Sequence, residues 1–202
     1  MKKVYRFVAV FILAGSLLTA SAQAASLSHK VVRGDTMWKL AVKYQVGTSE
    51  IIAANPQISN PDLIYPGQIL QIPQVSDTVS AYEAEVIRLV NEIRRENGLN
   101  PLTANWELSR VARYKSQDMK DKGYFSHTSP TYGSPFQMIK AFGISYRTAG
   151  ENIAMGYKTP QAVVDGWMNS SGHRANILNA SYTQIGVGYV AQGNYWTQMF
   201  IG

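Results

Sequence analysis

Residues 185–201 read IGVGYVAQGNYWTQMFI, and the period of this stretch decides the fold class. Ile185, Val187 and Tyr189 alternate, Gln192 and Gly193 offer a turn, and Tyr195 to Ile201 is rich in strand formers, so the pattern predicts a β-hairpin. Upstream, Glu151 to Met155 reads as another strand. Between about residues 80 and 142 the apolar residues recur instead at helical spacing. Helices around a small, mainly antiparallel sheet make an α+β layered domain.

Next to that strand, residues 150–176 read GENIAMGYKTPQAVVDGWMNSSGHRAN. Thr159 can cap a helix, Pro160 suits its first turn, and Val163, Val164 and Trp167 share one face. Glu151 precedes this helix and His173 follows it, while His127 lies in FSHTSP, a loop rich in turn formers. One Glu and two His from separate loops are candidates to line one cavity, with Glu151 and His127 as general base and acid. The bland reading makes His127 and Glu151 a buried pair that fixes two loops, and His173 a helix-terminating residue bonded to a carbonyl. Ser126, Ser129, Ser170 and Ser171 bring hydroxyls near these imidazoles, but no G-x-S-x-G elbow positions any of them as a nucleophile.

Upstream, Ser80 to Glu83 spells a capping box for a helix carrying Tyr82, Val86, Leu89, Val90 and Ile93 inward. A second helix, Trp106 to Lys122, stops at Gly123 and turns Leu108, Val111, Ala112 and Met119 inward. A third follows Ser134 and Pro135, burying Phe136, Ile139 and Phe142. The Arg and Glu residues of these helices read as solvated faces.

The chain has 202 residues, 46% of them hydrophobic and 16% charged, enough apolar content for an ordinary core. No cysteine is present, which excludes disulfides, thiolate metal sites and a Cys nucleophile. Lys2, Lys3 and Arg6, an apolar run from Phe7 to Leu18 and the exit Ala22-Gln23-Ala24 describe a secretory signal peptide, residues 1–24. The apolar run is shorter than the ~20 residues that span a bilayer, so no stable membrane anchor is expected after cleavage. Without those three basic residues the formal charge falls from +6 to +3, and no Lys/Arg run points to nucleic acid.

From His29 to Pro73 the chain reads HKVVRGDTMWKLAVKYQVGTSEIIAANPQISNPDLIYPGQILQIP. Val31 and Val32 suggest a strand, Thr36 caps a helix with Met37, Leu40, Ala41 and Tyr44 inward, a second helix follows Thr48, and Ile69 to Ile72 closes as a strand. The V-x-x-G-D-T-x-W-x-L-A opening, the central N-P and the closing L-I-Y-P-G-Q-x-L-x-I-P resemble the LysM module. That resemblance implies a βααβ fold that binds N-acetylglucosamine polymers such as peptidoglycan or chitin. Its groove would lie between Gly34, Asp35, Thr36, Met37 and Asn60, Pro61, Asp62, Leu63, Ile64. Asp35 and Thr36 also serve the turn and the cap, and Trp38 is expected in the core.

Residues 74–78 read as a short polar linker. Residues 79–202 resemble the CAP superfamily of cysteine-rich secretory, antigen 5 and pathogenesis-related proteins in its bacterial SCP-like form. The motifs are N-x-x-R at Asn91 to Arg94, F-S-H at Phe125 to His127, G-E-N-I-A at Gly150 to Ala154, G-H-R-x-N-I-L at Gly172 to Leu178 and Y-T-Q-I-G-V-G-Y at Tyr182 to Tyr189. The resemblance implies an αβα sandwich whose cleft, in eukaryotic members, carries two His and two Glu. His127 and Glu151 match one of each; Ser170 and Ser181 stand where the other Glu and His would be. No metal site is therefore expected, only weak divalent binding, and no cofactor. The resemblance implies a secreted, cell-wall-associated protein that binds glycan through LysM and presents the CAP cleft to an unidentified ligand or cell-wall protein. The alternative is a hydrolase of peptidoglycan or protein using His127 and Glu151, and a third reading is a module that regulates a cell-wall enzyme.

Overall fold

The computed structural model describes residues 26–202; the signal-peptide expectation lies outside them. The first unit is strand β1 (Ser26–Lys30), helices α1 (Met37–Tyr44) and α2 (Thr48–Ala54), and strand β2 (Ile69–Pro73), which pairs antiparallel with β1. This is the expected βααβ order, but the first strand ends at Lys30 rather than running through Val31 and Val32. Backbone pairing still reaches Val31, which donates to Gln68 and accepts from Gly67. A separate core holds the unit together: Val31, Met37, Leu40, Ala41, Val46, Ile51, Leu70 and Ile72 are buried against one another. Asn55 stitches α2 to β2, its Nδ2 donating to Ile51 O and Gln71 O at 2.7 Å each and its Oδ1 accepting from Gln71 N at 2.8 Å. Trp38 is 68% exposed and not in this core, because it sits one step off the inward row of α1.

Helix α3 (Asp77–Glu96) starts earlier than the expected box at Ser80. Ser76 is the cap, its hydroxyl accepting from Val79 N, and an acidic Asp77 fills the first turn. The linker is therefore shorter than expected. There follow β3 (Thr103–Ala104), α4 (Trp106–Lys122), α5 (Pro135–Ala141), β4 (Ala149–Met155), α6 (Pro160–Met168), α7 (Ser171–Ile177), β5 (Gln184–Val190) and β6 (Tyr195–Ile201). The sheet order is β3-β5-β6-β4, with β5–β6 the expected hairpin and β4 on the far edge of β6.

Each strand splits its side chains between two helical layers. Ile185, Val187, Tyr189, Trp196 and Phe200 meet α3 and α6, while Met199 and Ile201 meet α4 and α5. Gly186 and Gly188 lie under α4: a Cβ at either would overlap the backbone of that helix, so glycine there sets how closely helix and sheet approach. The result is an αβα sandwich.

Two expectations for the helices fail. Phe136 is 47% exposed, because α5 buries Pro135, Met138 and Ile139 instead. Glu83 and Arg94 are buried rather than solvated. Glu83 receives Arg113 and the backbone N–H of Tyr189 at 3.0 Å. Arg94 donates to the carbonyls of Asn100, Ile177 and Asn179 at 2.9, 2.7 and 2.9 Å, and Asn91 clamps Leu102 through both its N–H and C=O. The N-x-x-R motif thus ties α3 to the two loops that lead into β3 and β5.

Candidate functional site

Strand β4 is an edge strand with α5, α6 and α7 packed against it, and the 124–133 loop reaches it through His127. Glu151 lies opposite Met199 on the α4 face. The next residue, Asn152, lies opposite Gln198 on the other face and donates to Gln198 Oε1 and to His173 O at 3.0 and 3.1 Å. His127 Nδ1 meets Glu151 Oε1 at 2.7 Å. The pair is asymmetric: the Glu151 side chain is 2% exposed and the His127 side chain 53%. Glu151 Oε2 is buried without a hydrogen-bond partner among the described residues, and burial of this kind disfavours the charged form.

A cation sits close behind. Lys115, on α4, is 1% exposed and its Nζ donates to Ser126 O at 2.7 Å, His127 O at 2.9 Å and Tyr124 Oη at 3.2 Å. It therefore fixes the backbone that carries His127. Burial pushes the Glu151 carboxyl above its ordinary range, against the pull of the His127 hydrogen bond and the Lys115 charge. The same burial pulls Lys115 down, opposed by Glu151 and Asp118. The loop is pinned a second time at Asp118, which accepts from Tyr124 and Ser129 at 2.6 Å each and from Thr131. Ser129 is thus a loop-fixing hydroxyl committed to a carboxylate.

His173 is on α7 and half-buried. It lines an apolar groove of ≈ 320 Å³ with Phe125, Met155, Tyr157, Trp167 and Ser170. Burial lowers its affinity for a proton, and the charge of His127 adds to that effect. His173 is on the groove wall, whereas neither His127 nor Glu151 lines the groove, which is reached instead by Phe125 and Ile153, two residues from each. Ser170 shares that wall. Ser181 does not, lying instead beside Thr148 and Gly202 at the start of β4.

A zinc ion takes three or four protein ligands. His127 and Glu151 supply two, Ser170 and Ser181 are neither imidazole nor carboxylate, and among the described residues no group of three or more His, Asp or Glu gathers. The residues present do not fit a zinc site. What they can do is hold a proton between a buried carboxyl and an exposed imidazole beside an apolar surface.

Sequence reasoning missed Lys115, Asn152, Asn176 and Gln198. Lys115 carried a readable signal, since it falls on the inward row of α4 with Leu108, Val111, Ala112 and Met119. Asn176 gives no such signal; its Nδ2 donates to Glu151 O and Asn152 Oδ1 at 3.2 and 2.8 Å, a contact made only by the tertiary fold.

Comparisons with known proteins agree with this architecture. The cysteine-rich secretory protein family matches residues 87–200 and the LysM domain matches residues 29–73. The uncharacterized protein YkwD of Bacillus subtilis is 65% identical over 125 residues, covering 62% of this chain and 49% of that protein. A crystal structure of an extracellular protein containing a SCP domain from Bacillus anthracis is 34% identical with a TM-score of 0.59, covering 67% of this chain and 47% of that one. The LysM segment is 41% identical over 46 residues to the secreted LysM effector ECP6 of Passalora fulva, covering 23% of this chain and 20% of that protein. The chain spans about half the length of the YkwD relative. With the family domain matched over more than half its residues and a LysM domain ahead of it, the chain belongs to the cysteine-rich secretory protein (CAP) family.

Proposed function

We propose that this is a secreted, cell-wall-associated protein whose LysM domain holds a polymer of N-acetylated sugars, peptidoglycan or chitin-like, while its CAP groove receives an apolar segment of a cell-wall protein or peptide. The observation that carries the glycan half is the complete βααβ unit with its own core and two exposed loops. Gly34 takes φ +94°, Asp35 accepts from Val32 N and His29, and Thr36 caps α1, so this loop is shaped by its own side chains. Across from it Asn60 accepts from Asp62 N, Leu63 is 51% exposed, and Ile64 packs on the cluster that buries Met37. Backbone amides beside aliphatic side chains suit a sugar with acetamido groups. The named relatives, an extracellular SCP-domain protein and a secreted LysM effector, support the location.

The groove half rests on chemistry. Phe125, Met155 and Tyr157 are each more than a third exposed along it, an apolar surface that His173 also lines. A second reading makes this a hydrolase with Glu151 as base and His127 as acid, the two side chains meeting at 2.7 Å. Retention on insoluble peptidoglycan tests the first half: residues 26–73 should be retained, and retention of residues 77–202 alone would refute it. Incubating the whole protein and Glu151→Gln with peptidoglycan and casein separates the two readings of the groove. Product from the parent alone makes it an enzyme; silence from both leaves a binding site.

A further inference from the structure

The two domains meet through a built contact. Arg110 of α4 donates from Nε to Glu50 Oε1 at 2.7 Å and from Nη2 to Ser49 Oγ at 3.1 Å, and its guanidinium lies over the rings of Tyr114 and Phe142 at 5.3 and 5.1 Å. Gly47 makes room for this, since a Cβ there would overlap both the Glu50 carboxylate and the Arg110 guanidinium. With only Gln74 to Ser76 between β2 and α3, the chain leaves little slack.

Beside this contact is an open crevice of ≈ 100 Å³. Trp38 and Val42 of α1 form one wall and Trp106 and Phe142 the other, with Thr48, Glu107 and Arg110 between them. Trp38 is 68% exposed and Val42 43%, on the outer face of a helix whose inner face is already buried. An indole left this open beside a second aromatic wall marks a surface for a ligand rather than for the core.

Polarity and the open indole choose the ligand. A pyranose ring would lay its C–H face on the Trp38 indole, which is 68% exposed, and an acetamido substituent would bring its methyl against Val42 and Phe142. The hydroxyl of Thr48, the carboxylate of Glu107 and the guanidinium of Arg110 supply donors and acceptors that an acyl chain would leave unpaired. We infer that this crevice is a second sugar subsite, taking an N-acetylated hexosamine unit of the polymer held by the LysM groove; the inference rests on the glycan reading above. Because the Arg110 contact fixes both walls before the ligand arrives, little ordering cost falls on binding, and a second contact on one polymer raises affinity.

Calorimetric titration of the whole mature protein with N-acetylglucosamine oligomers of increasing length tests this, with the indole N–H signals of Trp38 and Trp106 followed by NMR. Long oligomers should shift both indoles, and Trp106→Ala and Trp38→Ala should each weaken their binding about 3- to 10-fold, the worth of one aromatic contact. Short oligomers that fill only the LysM groove should bind all three proteins alike, and deacetylated long oligomers should leave the Trp106 signal unmoved. A Trp106 indole unmoved at saturation with the acetylated oligomer, while amides of Asn60 to Ile64 shift, would overturn the second subsite and leave the LysM groove standing. If no signal moves and no heat appears, the glycan reading itself fails and takes this inference with it. Should Trp106→Ala not fold, the indole signals of the parent still decide.

Discussion

Replacing Arg94 by methionine should destabilise the protein by about 3–5 kcal/mol. The guanidinium is 1% exposed and, among the described residues, has no carboxylate partner; it is satisfied by carbonyls. Three bonds are at 2.7–2.9 Å, to Ile177, Asn179 and Asn100, and a fourth to Tyr182 is at 3.4 Å. Leaving the buried Ile177 carbonyl without a donor costs about 1–3 kcal/mol, and losing the charge-assisted bonds to the part-buried Asn100 and Asn179 carbonyls adds about 1–2 kcal/mol more. Relief of a desolvated charge returns part of that, since burial lowers the proton affinity of Arg94. Lysine in its place keeps the charge but concentrates its donors at one point, so it should recover less than half the loss. Urea unfolding followed by circular dichroism measures the difference, with an unchanged m-value showing that the comparison is sound. Hydrogen exchange should localise it, amides of residues 177–182 exchanging faster than those of β6. A loss below about 1 kcal/mol, or uniform exchange, would show that these carbonyls find other donors and that the N-x-x-R motif does not hold the loops.

Gly188→Ala should be costly, about 3 kcal/mol, because the added methyl overlaps the backbone of Ala112 and Arg113, which cannot step aside as a side chain can; a thermal melt within a degree of the parent's would refute this. Asp118→Asn should lower stability by about 1–3 kcal/mol at neutral pH. Burial alone would raise the Asp118 carboxyl, but hydrogen bonds from Ser129, Thr131 and Tyr124 hold it below its ordinary 3.8. Its contribution is therefore present above that value and lost as pH falls through the lower folded one, and acid titration of both proteins should show their stabilities converging there. Gly47→Ala should leave both domains folded and release the Glu50–Arg110 contact, which is worth no more than about 1 kcal/mol; ¹⁵N relaxation should then give the two domains different correlation times, where the parent gives one.

The layered fold was readable because period and burial coincide in it. Ile185, Val187 and Tyr189 alternate in the sequence and are all buried in the sheet, and Leu108, Val111, Ala112 and Met119 recur in the sequence and all face it. Where a polar residue shares such a row, pattern alone misleads: Glu83, Val86, Val90 and Arg94 form one inward row, and the charged ends were assigned to solvent because nothing local reveals the carbonyls waiting for Arg94. Trp38 and Phe136 err the other way, large apolar residues placed outside because their helices have enough smaller ones for the core. The His127–Glu151 contact spans 24 residues, from a loop to strand β4, and its geometry depends on Lys115 and Asp118 as much as on either member. Residue types were legible there; the network that aims them was not.

The edge position of β4 limits how a peptide enters the groove. Alternate residues of an edge strand turn their backbone groups away from the sheet, and an added strand would normally bond to them. Here the carbonyl of Glu151 already accepts from Asn176 Nδ2 at 3.2 Å and that of Ile153 from Trp167 Nε1 at 3.2 Å. Both donors belong to helices, and Trp167 is buried, so its indole cannot swing away without opening the core. Strand addition would have to displace two hydrogen bonds and a packed indole to gain two others, which leaves no net advantage. On the proposed reading a peptide would therefore dock on side chains, with an apolar residue against Phe125, Met155 and Tyr157. Its binding should shift the methyl signal of Met155 and the ring signals of Tyr157 while leaving the hydrogen exchange of the β4 amides unchanged. Strong new protection of the Glu151 and Ile153 amides would mean that the strand edge opens after all, and the side-chain docking argument would be wrong.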